Sequence, residues 1–285
     1  MFNSTILEVG IGLIFCFCAV SLIVSSLNEA LASLLKLRGK YLLAGIKTLL
    51  NDPGMRGLAL ELYNHAQFHP NGGGTALNEK QLENKPSYVA PRQFALALMD
   101  ILQNRAGASL DLGSAIQALP DAQLRQALNG MYVRAAGDLG QMEAELGCWF
   151  DSSMQRLAGE YKRTLQLWTV AFGLLVAMVM NIDALHLFQV LWVHPALVQG
   201  ISADQLANAH VAVDQLSVTE LPIGWDKPPF ILEQGQWRLA YGNQQLALMA
   251  AGWLITALTT LFGAPFWFDL LQRATSLRGS GPKIA

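Results

Sequence analysis

Three stretches of this chain run for about the thickness of a hydrocarbon core, roughly 20 residues at 1.5 Å each, with almost no charge. The first is Ile6 to Ser26, ILEVGIGLIFCFCAVSLIVSS, interrupted only by Glu8. The second runs from Leu165 to about Leu185, LQLWTVAFGLLVAMVMNIDAL, and is charged only at Asp183. The third, Leu246 to Pro265, LALMAAGWLITALTTLFGAP, has no charge at all. Backbone groups inside lipid must be satisfied within their own segment, so all three are expected as helices.

Between these runs the pattern becomes amphipathic. Over Asn28–Leu50, Leu31, Leu34, Leu35, Leu42 and Leu49 recur at helical spacing while Lys36 and Lys40 share another face, which predicts a helix continuing out of the first span. Asp52-Pro53-Gly54 ends it. A short helix is expected around Met55–Ala66, then a flexible loop over 69–91, rich in glycine and proline. Helices follow at Arg92–Gln103, with a Phe94, Leu98, Ile101 stripe, and from Pro120-Asp121 to about Ala136. From Leu139 one stripe takes in Met142, Leu146, Trp149, Leu157, Tyr161, Leu165 and Trp168. If unbroken to Val193, that helix is about 80 Å long and needs cover from other helices or another subunit.

The pattern therefore predicts an all-α integral membrane protein with three transmembrane helices and an α-helical cytoplasmic body, formed partly by extensions of the first two spans. Its expected parts are a first span in residues 1–27, a body over 28–163, a second span over 164–193, an outer loop over 194–245, a third span over 246–265 and an interfacial tail over 266–285.

Composition agrees: 52% of the 285 residues are hydrophobic and 14% charged, where soluble domains carry about a quarter charged. The first run lacks a preceding Lys or Arg and a following cleavage site, so it reads as a retained anchor. Leu13, Ile14 and Phe15 before Cys16 exclude a lipobox. Lys36, Arg38, Lys40 and Lys47 follow the first span, and Arg156, Lys162 and Arg163 lead into the second. Residues 194–245 hold only Lys227 and Arg238, against Asp204, Asp214, Glu220, Asp226 and Glu233. Arg273, Arg278 and Lys283 follow the third span. The positive-inside rule then puts the N-terminus outside, 36–163 inside, 194–245 outside and the C-terminus inside. In a bacterial cell, outside is the periplasm. Cys16, Cys18 and Cys148 support no disulfide framework and read as small apolar filler.

Candidate chemistry is sparse. Glu61, His65 and His69 recur four apart and would share a helix face fit for zinc, but Pro70 and Gly72–Gly74 predict a helix end that scatters them. Glu8, Asn181, Asp183 and His186 stand near the outer ends of two spans, where ionisable groups are candidates for proton or ion handling, or for fold-stabilising contacts. Glu29, Lys162, Arg163 and Arg273 are expected at the inner boundary as an interfacial charge network. Ser202 and Gln205 form a capping-box pattern for a helix through Leu216. Gly10, Gly12 and Gly252 offer small faces for close helix approach. No nucleophile triad, dinucleotide fingerprint or basic nucleic-acid stripe occurs, no cofactor is implied, and the net charge is −2.

Two near-echoes, CWFDSSMQR at 148–156 and FWFDLLQR at 266–273, differ in register and in distance from their spans. Trp267 and Phe268 read as an aromatic belt, with Asp269 and Arg273 free to pair at the interface. Trp149 reads as part of the core stripe, with Asp151 off it. Trp149, Asp151 and Arg156 together are candidate partner-docking residues. The run WFDSSMQRLAGEYKRTLQ (149–166) resembles a pattern in a broad group of bacterial inner-membrane proteins with no known activity. NEALASLLKLRGK (28–40), PSYVAPRQFALALMD (86–100), NID (181–183), LPIGW (221–225) and GAPFWFDLL (263–271) resemble the same group. The resemblance implies a location in the inner membrane and no mechanism.

The first functional expectation is a scaffold or anchor that holds a cytoplasmic protein partner at the lipid bilayer. Its rival is a homo-oligomeric pore or transport component using Glu8, Asp183 and His186. An intramembrane or metal-dependent enzyme is a distant third.

Overall fold

The computed structural model describes residues 5–106, 111–198, 201–206, 208–218, 221–225, 230–233 and 236–279. Its helices are α1 (Thr5–Leu34), α2 (Leu37–Leu49), α3 (Leu58–Asn64), α4 (Pro91–Ala106), α5 (Leu112–Gln117), α6 (Ala122–Ala135), α7 (Leu139–Val179), α8 (Ala184–Val193), α9 (Ala209–Val218), α10 (Asn243–Thr259) and α11 (Ala264–Gly279). One antiparallel ribbon, β1 (Phe230–Glu233) with β2 (Gln236–Leu239), departs from the expected all-α composition; Phe230 pairs with Leu239 and Glu233 with Gln236. The chain divides into two compact units, residues 1–31 with 164–285, and residues 32–163.

Two helices are long and apolar enough to cross a membrane: α1, with 30 residues, and the 20-residue stretch Asn243–Phe262, which is α10 with one further 3-10 turn. These make the chain a membrane protein. The α7–α8 pair qualifies as a third candidate only together, bent by 52°.

Two expected continuous helices are broken. The first break lies at Lys36, whose backbone is left-handed (φ 49°), so the amphipathic extension of α1 is a separate helix, α2. The second interrupts the long helix after Val179, where Asn181 is left-handed (φ 47°) and Asp183 caps α8. The apolar stretch Asn243–Phe262 ends at Gly263 (φ 79°), a backbone that favours glycine.

In the body, Phe94 and Phe150 stack at 4.4 Å in a core shared by α2 to α7, with Tyr63, Phe68, Leu98 and Leu146 fully buried around them. Phe150 is 2% exposed and Trp149 only half-buried, so at this turn of α7 the core position falls to the neighbour of the residue the stripe selected. Asp111, Asp121 and Asp138 accept backbone N–H bonds at the starts of α5, α6 and α7. The loop over 69–91, expected to be flexible, is tied down. Asn64 exchanges two hydrogen bonds with the backbone of Ala76, Lys47 pairs with Glu79 at 2.8 Å, and buried His69 bridges the carbonyls of Tyr63 and Asn84.

In the other unit, small residues set the helix contacts, as they do where lipid gives helices no hydrophobic reason to associate. A methyl at Gly12 would meet Leu191 at 2.6 Å, and one at Gly173 would meet Thr260 Oγ1 at 2.9 Å, so α8 packs on α1 and α7 on α10. Gly10, by contrast, faces nothing within 4 Å. Trp267 is buried against Phe17, ring centroids 5.1 Å apart, and donates to Thr259 O at 2.8 Å. It is thus a packing residue at the Gly263 break, whereas a headgroup belt would have it facing outward. Asp269 and Arg273 are both exposed and form no ion pair among the described residues. Between α8 and α10, Ser202 N–H donates to Gln205 Oε1, but α9 begins later, at Ala209, just after Asn208, whose side chain accepts from Val211 N–H.

Candidate functional site

The residues singled out for metal binding each have a different partner. Glu61 takes two hydrogen bonds from Arg105, and His65 lies 3.6 Å from Asp100. His69 is buried 15 residues before its Asn84 partner, with both ring nitrogens against carbonyls. Among the described residues no group of His, Cys, Asp or Glu is arranged to hold a metal ion.

Asn181 and Asp183, two members of the expected polar cluster, meet at the α7–α8 break. There most of the backbone groups freed by the break find partners. Ile182 N–H reaches back to Ala177 O at 2.8 Å and Asn181 N–H to Met178 O at 3.2 Å. With Asn181 left-handed, this is a Schellman ending, in which those bonds close the last carbonyls. Trp225 Nε1–H serves Met178 O and Val179 O, both at 3.2 Å, and Gly224 N–H serves Met180 O at 2.9 Å. Thr256 Oγ1–H donates to Ile182 O at 2.9 Å. Asp183 Oδ1 then accepts from Leu185 and His186 N–H at 2.9 and 3.1 Å, starting α8. Ile182 and Leu187 occupy the two positions of a hydrophobic staple, and both are fully buried.

Side chains complete the knot. Asn181 Nδ2 donates to Gly224 O at 2.7 Å and its Oδ1 accepts from Trp253 Nε1–H at 3.1 Å. NID and LPIGW, distant in sequence, are the two halves of one joint. His186 faces outward, and Glu8 is buried on α1. The joint satisfies much of a broken helix from within the protein, as irregular backbone buried away from water requires.

The docking candidates lie on the body. Trp149 and Arg156 line one side of a groove of about 680 Å³, between α7, α2 (Tyr41, Gly45) and the start of α6 (Asp121). A methyl at Gly45 would meet Leu157 at 2.5 Å, so glycine lets α2 and α7 close the floor. Asp121, the cap of α6, is clamped at the rim by Asn51 Nδ2–H at 2.6 Å. Asp151 stands apart from the groove. It is exposed, takes a hydrogen bond from Gln155, and lines a neighbouring hollow with Arg38 and Tyr161. Arg156 donates to Ser153. Trp149 and Arg156 are thus brought together, and Asp151 is not. Glu29, Lys162, Arg163, Asp269 and Arg273 are all exposed. Sequence reasoning missed the groove's other wall, Tyr41, Gly45 and Asn51, because only the fold shows which face of α2 meets α7.

No family model, no curated protein and no solved structure matches this chain.

Proposed function

We propose that this protein is a membrane-anchored scaffold whose groove between α2, α6 and α7 seats a segment of a cytoplasmic protein partner. In this reading α1, the bent α7–α8 pair and α10 are three spans of a bacterial inner membrane. The N-terminus is then periplasmic, and residues 36–163 and the C-terminus are cytoplasmic. The groove carries the proposal: it has an apolar floor at Met154 and Leu157, a half-buried indole at Trp149, and charges at its rim from Arg156, Asp121 and Glu160. Aromatic and Arg side chains of this kind dominate binding energy at protein interfaces. The rival pore reading draws on Glu8, Asp183 and His186; of these Asp183 is engaged in capping α8, which favours the scaffold.

The test is the native mass of the tagged chain extracted with its surrounding lipid, for the wild type and for Trp149→Ala and Arg156→Glu. A stoichiometric second protein that is lost from both variants supports the scaffold. A ring of identical subunits with nothing else bound, unchanged by the variants, overturns it in favour of the pore.

A further inference from the structure

Beside the docking groove, past Met154 and Leu157 which line both, lies a second hollow of about 260 Å³. Its floor is carbon: Leu42, Val89 and Phe150 are buried there. Two polar groups on its wall can meet a ligand, one exposed and charged, the other buried. Arg38 is exposed and has no hydrogen-bond or ion-pair partner among the described residues. The Tyr161 hydroxyl is buried with no hydrogen-bond partner among the described residues, its ring held edge-on by Tyr41 at 5.0 Å. A buried hydroxyl with no partner is costly and calls for an explanation.

We propose that this hollow holds part of one anionic phospholipid, its phosphate near Arg38, an oxygen accepting from Tyr161 and the upper chain on the carbon floor. A free phosphate would satisfy the two polar groups and gain nothing from the floor. A bare fatty chain would do the reverse. Only an amphiphile uses both. The volume falls below the 300–1,000 Å³ or so of pockets that enclose a whole small molecule, which suits a ligand most of which stays in the bilayer. Asp151 also lines the hollow and opposes an anion. Against it stand Lys36, Lys40, Lys162 and Arg163, exposed and close in sequence to Arg38 and Tyr161. Basic clusters at the end of a span attract anionic lipid. The inference rests on the proposed topology, in which Tyr161 lies four residues before the apolar run that starts at Leu165.

The experiment uses the full chain in mild detergent, offered phosphatidylglycerol and phosphatidylcholine of equal chain length, with retained lipid counted by native mass spectrometry. The expected result is one phosphatidylglycerol per chain, preferred at least about fivefold, and not displaced by excess inorganic phosphate. Arg38→Gln brings the preference close to one, and Ala158→Trp, which fills the hollow, removes the retained lipid. Equal retention of both lipids, displacement by phosphate, or retention untouched in both variants overturns the proposal. Maleimide labelling of Cys148, the exposed cysteine, in sealed vesicles reports the orientation separately. Labelling from the outside with lipid retention intact overturns the topology and leaves the pocket standing.

Discussion

The carboxylate of Asp183 presses on the α-carbon of Gly252: a methyl group there would collide with Oδ1 and sit 2.5 Å from Cγ. Asp183 is the residue that starts α8, and Gly252 is the place on α10 that lets it do so at close range. The contact couples a helix cap to a helix crossing, so each should fail with the other.

Gly252→Ala is therefore expected to destabilise the protein by about 1–3 kcal/mol, the usual cost of forcing extra volume into a packed site. Asp183→Ser shortens the side chain while keeping a good cap, and should recover part of that loss in the double variant. Thermal unfolding of the four proteins in one detergent measures this. Strictly additive changes would mean the two residues do not act through their contact.

Asp183 also separates a cap from a titrating membrane group. Asn caps helices about as well as Asp, whereas Ala loses roughly 0.5–2 kcal/mol. Asp183→Asn should keep wild-type stability and partner capture, and Asp183→Ala should lower the melting temperature. In reconstituted vesicles, an ion flux abolished by Asp183→Asn would restore the pore reading.

Much of this joint is legible in the sequence once its letters are read as helix punctuation. Asn-Ile-Asp spells a left-handed terminator, a buried staple residue and an N-cap, yet inside an apolar run the same letters suggest a polar membrane cluster. What decides between them is the partner segment Gly224-Trp225, more than 40 residues downstream, and no local pattern announces that pairing. Lys36 is the opposite case: a lysine carries no sign that its backbone will turn left-handed, so the break between α1 and α2 was invisible. Trp267 has the composition of an interfacial aromatic, and only its neighbours Phe17 and Thr259 reveal that it is packed inside. In the body, the start of α6 at Asp121 and the Phe94, Leu98, Ile101 stripe are local signals, whereas the Asp111 cap and the short helix α5 carry no pattern strong enough to announce them.

Those caps give the body a defined acid sensitivity. Asp121 is held below the usual carboxylate range by the Leu124 N–H and then by Asn51, Asp111 by Ser114, and Glu79 by the hydrogen bond from Lys47. A carboxyl whose folded pKa is depressed stabilises fully above its unfolded value, about 4, and the contribution drains away as pH falls through the lowered folded value. The melting temperature should thus be flat near neutrality and fall below about pH 4. Asp111→Asn with Asp121→Asn keeps both caps without the titration and should flatten that fall. An unchanged acid limb would assign the loss to other groups.

The adjacent pair Trp149-Phe150 makes the last prediction, because the two side chains divide stability from recognition. Phe150 is stacked on Phe94 at 4.4 Å with 2% of its surface exposed. Removing so buried a ring costs about 3–5 kcal/mol, so Phe150→Ala should unfold the body or lower its melting point sharply. Trp149 touches Phe94 only at 6.2 Å and leaves part of its indole in the groove. Trp149→Ala should cost much less in stability and far more in partner capture. Phe150→Leu, which keeps most of the buried volume, should retain capture even where it softens the fold. Co-purification and unfolding read on the same three variants decide the matter. If capture follows stability across all three, the groove is only part of the core, and the partner docks elsewhere.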